Sequence, residues 1–137
     1  MLLARAIDDE TLVRKVCSDA DVADSIVGFH AQQAAEKLIK AVLAARGVTF
    51  VKSHALSYLI GLVEENHIEA PDELAEADVL SPWAVEFRYE GEEPPALDRS
   101  AAIVLVAQLR TWTESEIKTA EQPPNPDQRQ PDEDQPE

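Results

Sequence analysis

A row of polar side chains recurs every three or four residues between positions 30 and 40 of this chain. Its members are His30, Gln33, Lys37 and Lys40. Residues three and four apart lie on the same side of an α-helix, so the spacing predicts one continuous surface of hydrogen-bond donors. Imidazole, amide and ammonium groups all donate to phosphate oxygens. The row is therefore a candidate phosphate or nucleotide site; its simpler interpretation is a set of partly interior polar groups that fix helix pairing.

Two residues elsewhere in the sequence extend this hypothesis. If His54 and Arg88 point into the same groove as the polar row, the six side chains form one cationic pocket on an acidic surface, and such a pocket can hold a phosphate or a nucleotide. The structural alternative stays open for each of them. His54 then packs in the first turn of a helix, and Arg88 makes hydrogen bonds and stacking contacts near the end of the bundle.

The residue pattern argues against a dedicated metal site or a nucleoside triphosphatase. A di-iron bundle needs Glu-x-x-His pairs from two helices, and the sequence does not supply two. One Cys and three scattered histidines do not have the spacing of a zinc site. A Gly-rich phosphate-binding loop is also missing from the sequence. We therefore expect no metal and no cofactor.

The charge of the chain limits its partners. Residues 121–137 hold six acidic residues against Arg129, so −10 of the net charge of −15 belongs to residues 1–120. A folded surface of that sign repels phosphate backbones at long range. We expect no binding to DNA, although a small basic cleft remains compatible with the composition.

The apolar content and the single Cys17 indicate where the protein works. One thiol excludes an internal disulfide, and together with the absence of a signal peptide it fits a reducing cytoplasm. The longest apolar run, residues 101–107, is too short to span a bilayer. The expectation is a cytoplasmic protein without a membrane partner.

Helices must position these residues, and apolar spacing predicts where they lie. The main predicted helices are Leu2 to about Cys17, about Ala20 to Ala45, Ser53 (as N-cap) to about Asn66, and Asp98 to about Lys118. A short extra helix follows the turn at Pro71. Ser81-Pro82 is typical of an N-cap followed by the first helical position, and would open a further helix. The sequence thus predicts an all-α, up-and-down bundle of four principal helices plus a short extra helix.

The second of these helices has the clearest signals. Its apolar seam is Val27, Ala31, Ala34, Leu38, Ala41 and Ala45. Small residues dominate the seam, so neighbouring backbones can come close. At its end Arg46 and Gly47 supply a cation for the last turn and a residue able to adopt a left-handed cap.

Composition divides the chain into two parts. Residues 1–120 read as one helical domain, and residues 121–137 consist mainly of Pro, Gln, Asp and Glu. The second part has too little apolar surface to offset the entropy of ordering, so we expect a disordered acidic tail.

Three segments together resemble the HEPN domain family (higher eukaryotes and prokaryotes nucleotide-binding). They are Phe29-His-Ala-Gln-Gln-Ala-Ala-Glu-Lys37, Ser53-His-Ala-Leu56 and Trp83-Ala-Val-Glu-Phe-Arg-Tyr89. The likeness covers roughly residues 1–118. It implies a small helical bundle that forms a homodimer, and a bacterial or archaeal stand-alone protein of a type often encoded beside a minimal nucleotidyltransferase in a toxin–antitoxin-type pair.

The family's ribonuclease motif is Arg, four to six residues, then His. In it the His exchanges a proton with the ribose hydroxyl or the leaving oxygen, while the Arg stabilises charge on the phosphate. None of the three histidines in this sequence follows an Arg at that spacing. Arg46 and His54 come nearest, with seven residues between them. The leading prediction is therefore a nucleotide-binding or interaction component without this motif.

Two alternatives remain open. One is a metal-independent ribonuclease toxin that uses His54 with Arg46 or Arg88. The other is a passive scaffold whose acidic tail recruits a basic partner.

Overall fold

The computed structural model describes residues 1–53, 55–84 and 96–121, and all regular structure within them is helical. The α-helices are α1 (Leu2–Val16), α2 (Asp24–Ala45), α3 (Leu56–Glu65), α4 (Glu73–Glu76) and α5 (Arg99–Glu121), and the 3-10 helix Ala77–Trp83 follows α4. This confirms the predicted all-α bundle of four longer helices and a short extra one. His54, Arg88, Tyr89, Phe87 and the acidic tail beyond Glu121 lie outside the described residues.

Helix α2 is the centre of the bundle. It contacts α1, α3, α5 and the 3-10 helix. The predicted seam from Val27 to Ala41 is buried, whereas Ala45 at its end is only half-buried. Other residues of α2, such as Ile39 and Val42, are buried as well, since neighbours pack on several sides of the helix. Because α2 is largely enclosed, its polar side chains must find partners on the helices around it.

The end of α2 has the predicted cap. Gly47 adopts a φ of +72°, and its N–H donates to the carbonyl of Ala44 at 3.1 Å. The N–H of Val48 donates to the carbonyl of Leu43 at 2.9 Å. These two bonds form a Schellman motif, which requires the left-handed conformation that glycine adopts without strain.

The predicted starts of α2 and α3 were wrong by a few residues. Helix α2 begins at Asp24 and not near Ala20, because the Asp19 carboxylate accepts the Asp21 N–H and holds the preceding residues in a turn. Helix α3 begins at Leu56. Ser53 does not cap its first turn: its hydroxyl accepts the N–H of Ala55, two residues on, at 3.1 Å. In both places a short polar side chain favours a local turn over earlier helix formation.

Ser81 and Pro82 do not open a new helix, which corrects a second prediction. Both lie inside the 3-10 helix that continues from α4. The Ser81 hydroxyl donates to the carboxylate of Asp78 instead of accepting a backbone N–H. Proline is tolerated here because a short 3-10 segment does not depend on one missing N–H.

The two tryptophans lie inside the monomer. Trp83 and Trp112 are 6% and 8% exposed, so most of each indole belongs to the core of the chain. The Trp112 indole N–H donates to the carbonyl of Glu69 at 2.8 Å and joins α5 to the segment after α3. Their burial reflects the depth of the core around α2 and α5.

Candidate functional site

One carboxylate of α1 pairs with two members of the polar row on α2. Asp9 Oδ1 lies 3.0 Å from His30 Nδ1, and Asp9 Oδ2 lies 2.6 Å from Lys37 Nζ. All three side chains are partly buried, with 26% of His30, 23% of Lys37 and 13% of Asp9 exposed. Partial burial strengthens such hydrogen-bonded pairs compared with exposed ones. The cluster fixes α1 against α2 at two points, two helical turns apart.

The contact with Asp9 determines how His30 presents its ring. A carboxylate only accepts hydrogen bonds, so Nδ1 of His30 carries the proton that it donates to Asp9. Nε2 is the other ring nitrogen, and among the described residues nothing is hydrogen-bonded to it. The edge of the Phe29 ring packs against His30 with their centroids 5.2 Å apart. His30 is therefore held in one orientation from two sides.

The second half of the polar row is organised around Glu36. Lys40 Nζ donates to Glu36 Oε2 at 2.8 Å, and Gln32 Nε2 donates to Glu36 Oε1 at 3.2 Å. Gln33 Nε2 in turn donates to Gln32 Oε1 at 2.9 Å. Glu36 is only 2% exposed, and a carboxylate at that depth requires such partners. The Lys40 ammonium also lies 5.9 Å from the centroid of the Phe50 ring, at the outer limit of a cation–π contact.

A third carboxylate extends the network to α5. Glu10, next to Asp9 and 4% exposed, accepts a hydrogen bond from Arg110 at 3.0 Å and pairs with Arg14 at 3.4 Å. Hydrogen bonds to Glu10 and then Glu114 raise the pKa of the Arg110 guanidinium. Neighbouring residues of α1 thus face different helices, Asp9 toward α2 and Glu10 toward α5.

The structure brings His30, Gln33, Lys37 and Lys40 together along α2 but separates Arg46 from them. Arg46 follows His30 by sixteen positions, roughly 24 Å along the helix axis, and Lys40 by six, roughly 9 Å. Its guanidinium pairs with Glu116 of α5, the Nε to Oε1 distance being 2.9 Å. His54 and Arg88 lie outside the described residues, so their membership of this site stays a prediction.

The arrangement is close to charge balance. Lys37 faces Asp9 and Lys40 faces Glu36, so each ammonium of the row lies against one carboxylate. Each ammonium has three N–H donors, and the contacts among described residues use one of them on Lys37 and one on Lys40. The row can therefore still donate hydrogen bonds to an anion, but it lacks a large positive charge to attract one.

Sequence reasoning missed the acidic partners, although two signals pointed to them. Glu10 occupies a position in the apolar seam of α1, four residues after Ala6 and three before Val13, both buried. Glu36 stands four residues before Lys40, the spacing of a pair on one helix face. An acid in a seam position requires a cation from a neighbouring helix, which here is Arg110.

The described residues contain no cluster of three or more His, Cys, Asp or Glu side chains that could hold a metal ion. The one Glu-x-x-His spacing, Glu64 to His67, lies at the exposed end of α3. Among the same residues, every helix is too short or too polar to cross a bilayer.

Comparisons with known proteins give one match. A family model described as the HEPN domain matches residues 2–120. No curated protein matches the chain, and no solved structure does. The matched residues include the whole of α1 and α2, and with them the polar row and its carboxylate partners.

Proposed function

The chain belongs to the HEPN domain family, whose members are nucleotide-binding and ribonuclease-type domains, and on this premise we propose that it binds a nucleotide rather than cleaves RNA. The proposed site is the donor row of His30, Gln33, Lys37 and Lys40, with His54 and Arg88 as its further members. The observation that carries this proposal is the row itself: a half-buried line of imidazole, amide and ammonium groups whose orientations are fixed by Asp9 and Glu36.

Preorganised donors favour binding of phosphate groups because less side-chain entropy is lost when the ligand arrives. The carboxylates that hold them also reduce the attraction for an anion, so we expect weak affinity, with a Kd on the order of 0.1 to 1 mM, roughly −4 to −5.5 kcal/mol. A ligand with both a phosphate and a base fits better than inorganic phosphate alone, since it spans more of the row.

The surroundings of the described arginines weigh against catalysis. A ribonuclease site needs an arginine that is available to a phosphate next to a histidine that exchanges protons. Four of the five described arginines pair with carboxylates: Arg46 with Glu116, Arg99 with Asp24, and both Arg14 and Arg110 with Glu10; Arg5 is exposed on α1. His30 has a carboxylate rather than an arginine beside it. These pairs support a binding role over the ribonuclease alternative with His54 and Arg46.

The rest of the proposal concerns partners. Membership of the family supports a homodimer that pairs with a minimal nucleotidyltransferase in a toxin–antitoxin-type system. Light scattering on the purified protein measures the first property, with a mass of twice 15.1 kDa as the expected result. The second property is tested by the adjacent reading frame, which is expected to encode a minimal nucleotidyltransferase. A monomer at all concentrations would contradict the homodimer.

The binding proposal is tested by titrating the protein with a fluorescent ATP analogue and competing with unlabelled ATP, GTP and AMP. Lys37→Gln and Lys40→Gln are each expected to weaken binding about tenfold, the loss of one charge-assisted hydrogen bond. Lys15→Gln is the matched control, because Lys15 is an exposed lysine of α1 outside the row. Circular dichroism of each variant checks that the bundle is intact.

If all three variants bind the analogue equally well, the polar row is not the binding site. If the starting protein does not bind it at all, the proposal of nucleotide binding is wrong. Incubation with structured RNA supplies the complementary result. Cleavage that disappears in His54→Ala would establish the ribonuclease alternative in its place.

A further inference from the structure

A shallow apolar groove of about 800 Å³ runs along the outer side of α5, bounded on its other side by the residues between α3 and α4. Two rows of α5 residues at steps of four line it. One row is Ile103, Ala107 and Thr111, and the other is Val104, Gln108 and Trp112. Such rows are the ridges along which a second helix packs.

The floor and the walls of the groove suit close approach of a helix. The side of the buried Trp112 forms part of the floor, and its N–H is already satisfied by the Glu69 carbonyl. Ala107 and Thr111 are small and exposed, and Thr111 bonds its hydroxyl to its own helix at the Ala107 carbonyl. Val104 has 56% of its surface exposed despite being apolar. A partner helix can bury this apolar surface while Gln108 and Ser115, two exposed polar residues of the lining, keep contact with water or with polar groups of the partner.

The rim of the groove has one sign of charge. Its charged lining residues in the described part of the chain are Glu69, Glu73 and Glu116, and no Lys or Arg lines it there. Glu116 already pairs with Arg46, which leaves Glu69 and Glu73 to act on an incoming partner. The field of a chain with net charge −15 has the same sign. Long-range attraction therefore selects a cationic partner.

We propose that this groove binds a basic amphipathic helix of a partner protein. The helix would place an apolar face at i, i+3, i+4 and i+7 on Val104 and Trp112, with lysines or arginines facing Glu69 and Glu73. The lining from Ile103 to Glu116 is roughly 20 Å long, the length of about 13 helical residues.

Other occupants fit the charges less well. A second copy of this chain related by twofold symmetry would bring two acidic rims together, which costs free energy. Residues 121–137 of the same chain are acidic and hold five of its nine prolines, so they match neither the charge nor the helical form. Nucleic acid is repelled by the rim.

A synthetic 14-residue peptide with leucines at helical spacing and lysines elsewhere is the probe, measured by fluorescence anisotropy against the full chain. We expect saturable binding that falls as salt rises. Val104→Asp and the pair Glu69→Lys with Glu73→Lys are each expected to weaken it at least tenfold. Matched controls are Val51→Asp, an apolar residue with 64% exposure outside the groove, and Glu65→Lys at the exposed end of α3.

The outcomes separate the occupants. A peptide with glutamates in place of the lysines should not bind; equal binding of both peptides, or no effect of the groove variants, would overturn the proposal. If light scattering shows a dimer that Val104→Asp converts to a monomer, the groove belongs to a second copy instead. Because these readouts do not involve nucleotides, they are independent of the polar row on α2.

Discussion

The indole of Trp83 occupies the space where a side chain on Gly28 would lie. A Cβ built on Gly28 would come within 2.6 Å of Trp83 Cδ2 and 2.7 Å of Cγ, closer than carbon atoms approach without strain. Gly28 lies within α2, where glycine is otherwise unfavourable by about 1 kcal/mol relative to alanine. The glycine therefore lets the 3-10 helix rest its tryptophan directly on the backbone of the central helix.

Replacing Gly28 by alanine should destabilise the bundle. The gain in helix propensity is about 1 kcal/mol, but a rigid buried indole cannot move aside without opening the core, at a cost of about 1–3 kcal/mol. We expect a net loss of up to about 2 kcal/mol in the free energy of unfolding, measured by urea denaturation.

Gly61→Ala provides the matched control for this prediction. Gly61 lies inside α3, and a Cβ there meets no atom within 4 Å. The same substitution should therefore stabilise the protein, by about 0.5–1 kcal/mol. If both alanine variants are stabilised equally, Trp83 does not pack on Gly28 as described.

Asp24 should make the stability of the fold depend on acid pH. The Leu97 N–H and then the Arg99 guanidinium donate to its carboxylate, and both hydrogen bonds lower the pKa of Asp24 below its ordinary value of 3.8. A lowered folded-state pKa means that the stabilisation is complete above the unfolded pKa and is lost as pH falls through the folded one. We expect Asp24→Asn to lower the Tm at pH 7, and the difference from the starting protein to shrink as the pH falls below 3.8 toward the lowered folded-state pKa.

Protonation of Asp24 at low pH should not displace Arg99. Beyond its contact with Asp24, its guanidinium donates to carbonyls at the end of α1 and in the α1–α2 loop: Val16, Cys17, Asp19 and Val22. These acceptors do not titrate, so they keep Arg99 in place at low pH. Asp8→Asn, an exposed carboxylate of α1, is the control, and its Tm difference should be small at every pH. A difference for Asp24→Asn that stays constant down to pH 2 would contradict the mechanism.

His67 should be a site where glycine improves stability. It is the first residue after the Asn66 cap of α3 and has a φ of +55°, with the N–H of Ile68 donating to the carbonyl of Val63. A side chain in this left-handed conformation costs about 1 kcal/mol, which glycine avoids. We expect His67→Gly to raise the free energy of unfolding by about 0.5–1 kcal/mol, whereas His67→Val should lower it. A decrease in both variants would mean that the imidazole makes a stabilising contact.

The sequence allowed the helices to be predicted better than the contacts between them. The end of α2 was predicted correctly because Gly47 is a local signal that acts through the backbone alone. The start of α2 was placed too early because the loop before it is held both by the Asp19–Asp21 hydrogen bond and by Arg99, some 80 positions away. The contact with Arg99 is the one that no local signal indicates. Local propensity contains no information about a contact of that kind.

The same limit applies to the candidate site. The spacing of His30, Lys37 and Lys40 on one face of α2 was correct from periodicity. The contact of His30 and Lys37 with Asp9 depends on the rotation of α1 about its own axis, which is set by the packing of Ala6 and Val13 into the core. Periodicity alone predicts which face of a helix is buried, but not which neighbouring carboxylate lies opposite each cation.

Asp9→Asn should lower the stability of the fold and raise the affinity for the proposed nucleotide ligand. Removing the carboxylate charge leaves Lys37 and the His30 ring with a neutral partner, which should lower the free energy of unfolding by about 1–3 kcal/mol. It also removes a negative charge from beside the donor row. If the row binds a phosphate, its affinity for a fluorescent ATP analogue should rise roughly tenfold, since like-charge repulsion of the ligand is relieved.

Asp8→Asn is the control for this prediction. It removes the same charge one residue away on the exposed side of α1, and should change the affinity by less than about twofold at 0.15 M salt. Titrations of both variants well below their melting temperatures make the comparison. An unchanged or lower affinity in Asp9→Asn, in a protein that remains folded, would place the nucleotide elsewhere and leave the cluster of Asp9, His30 and Lys37 as a purely structural link between α1 and α2.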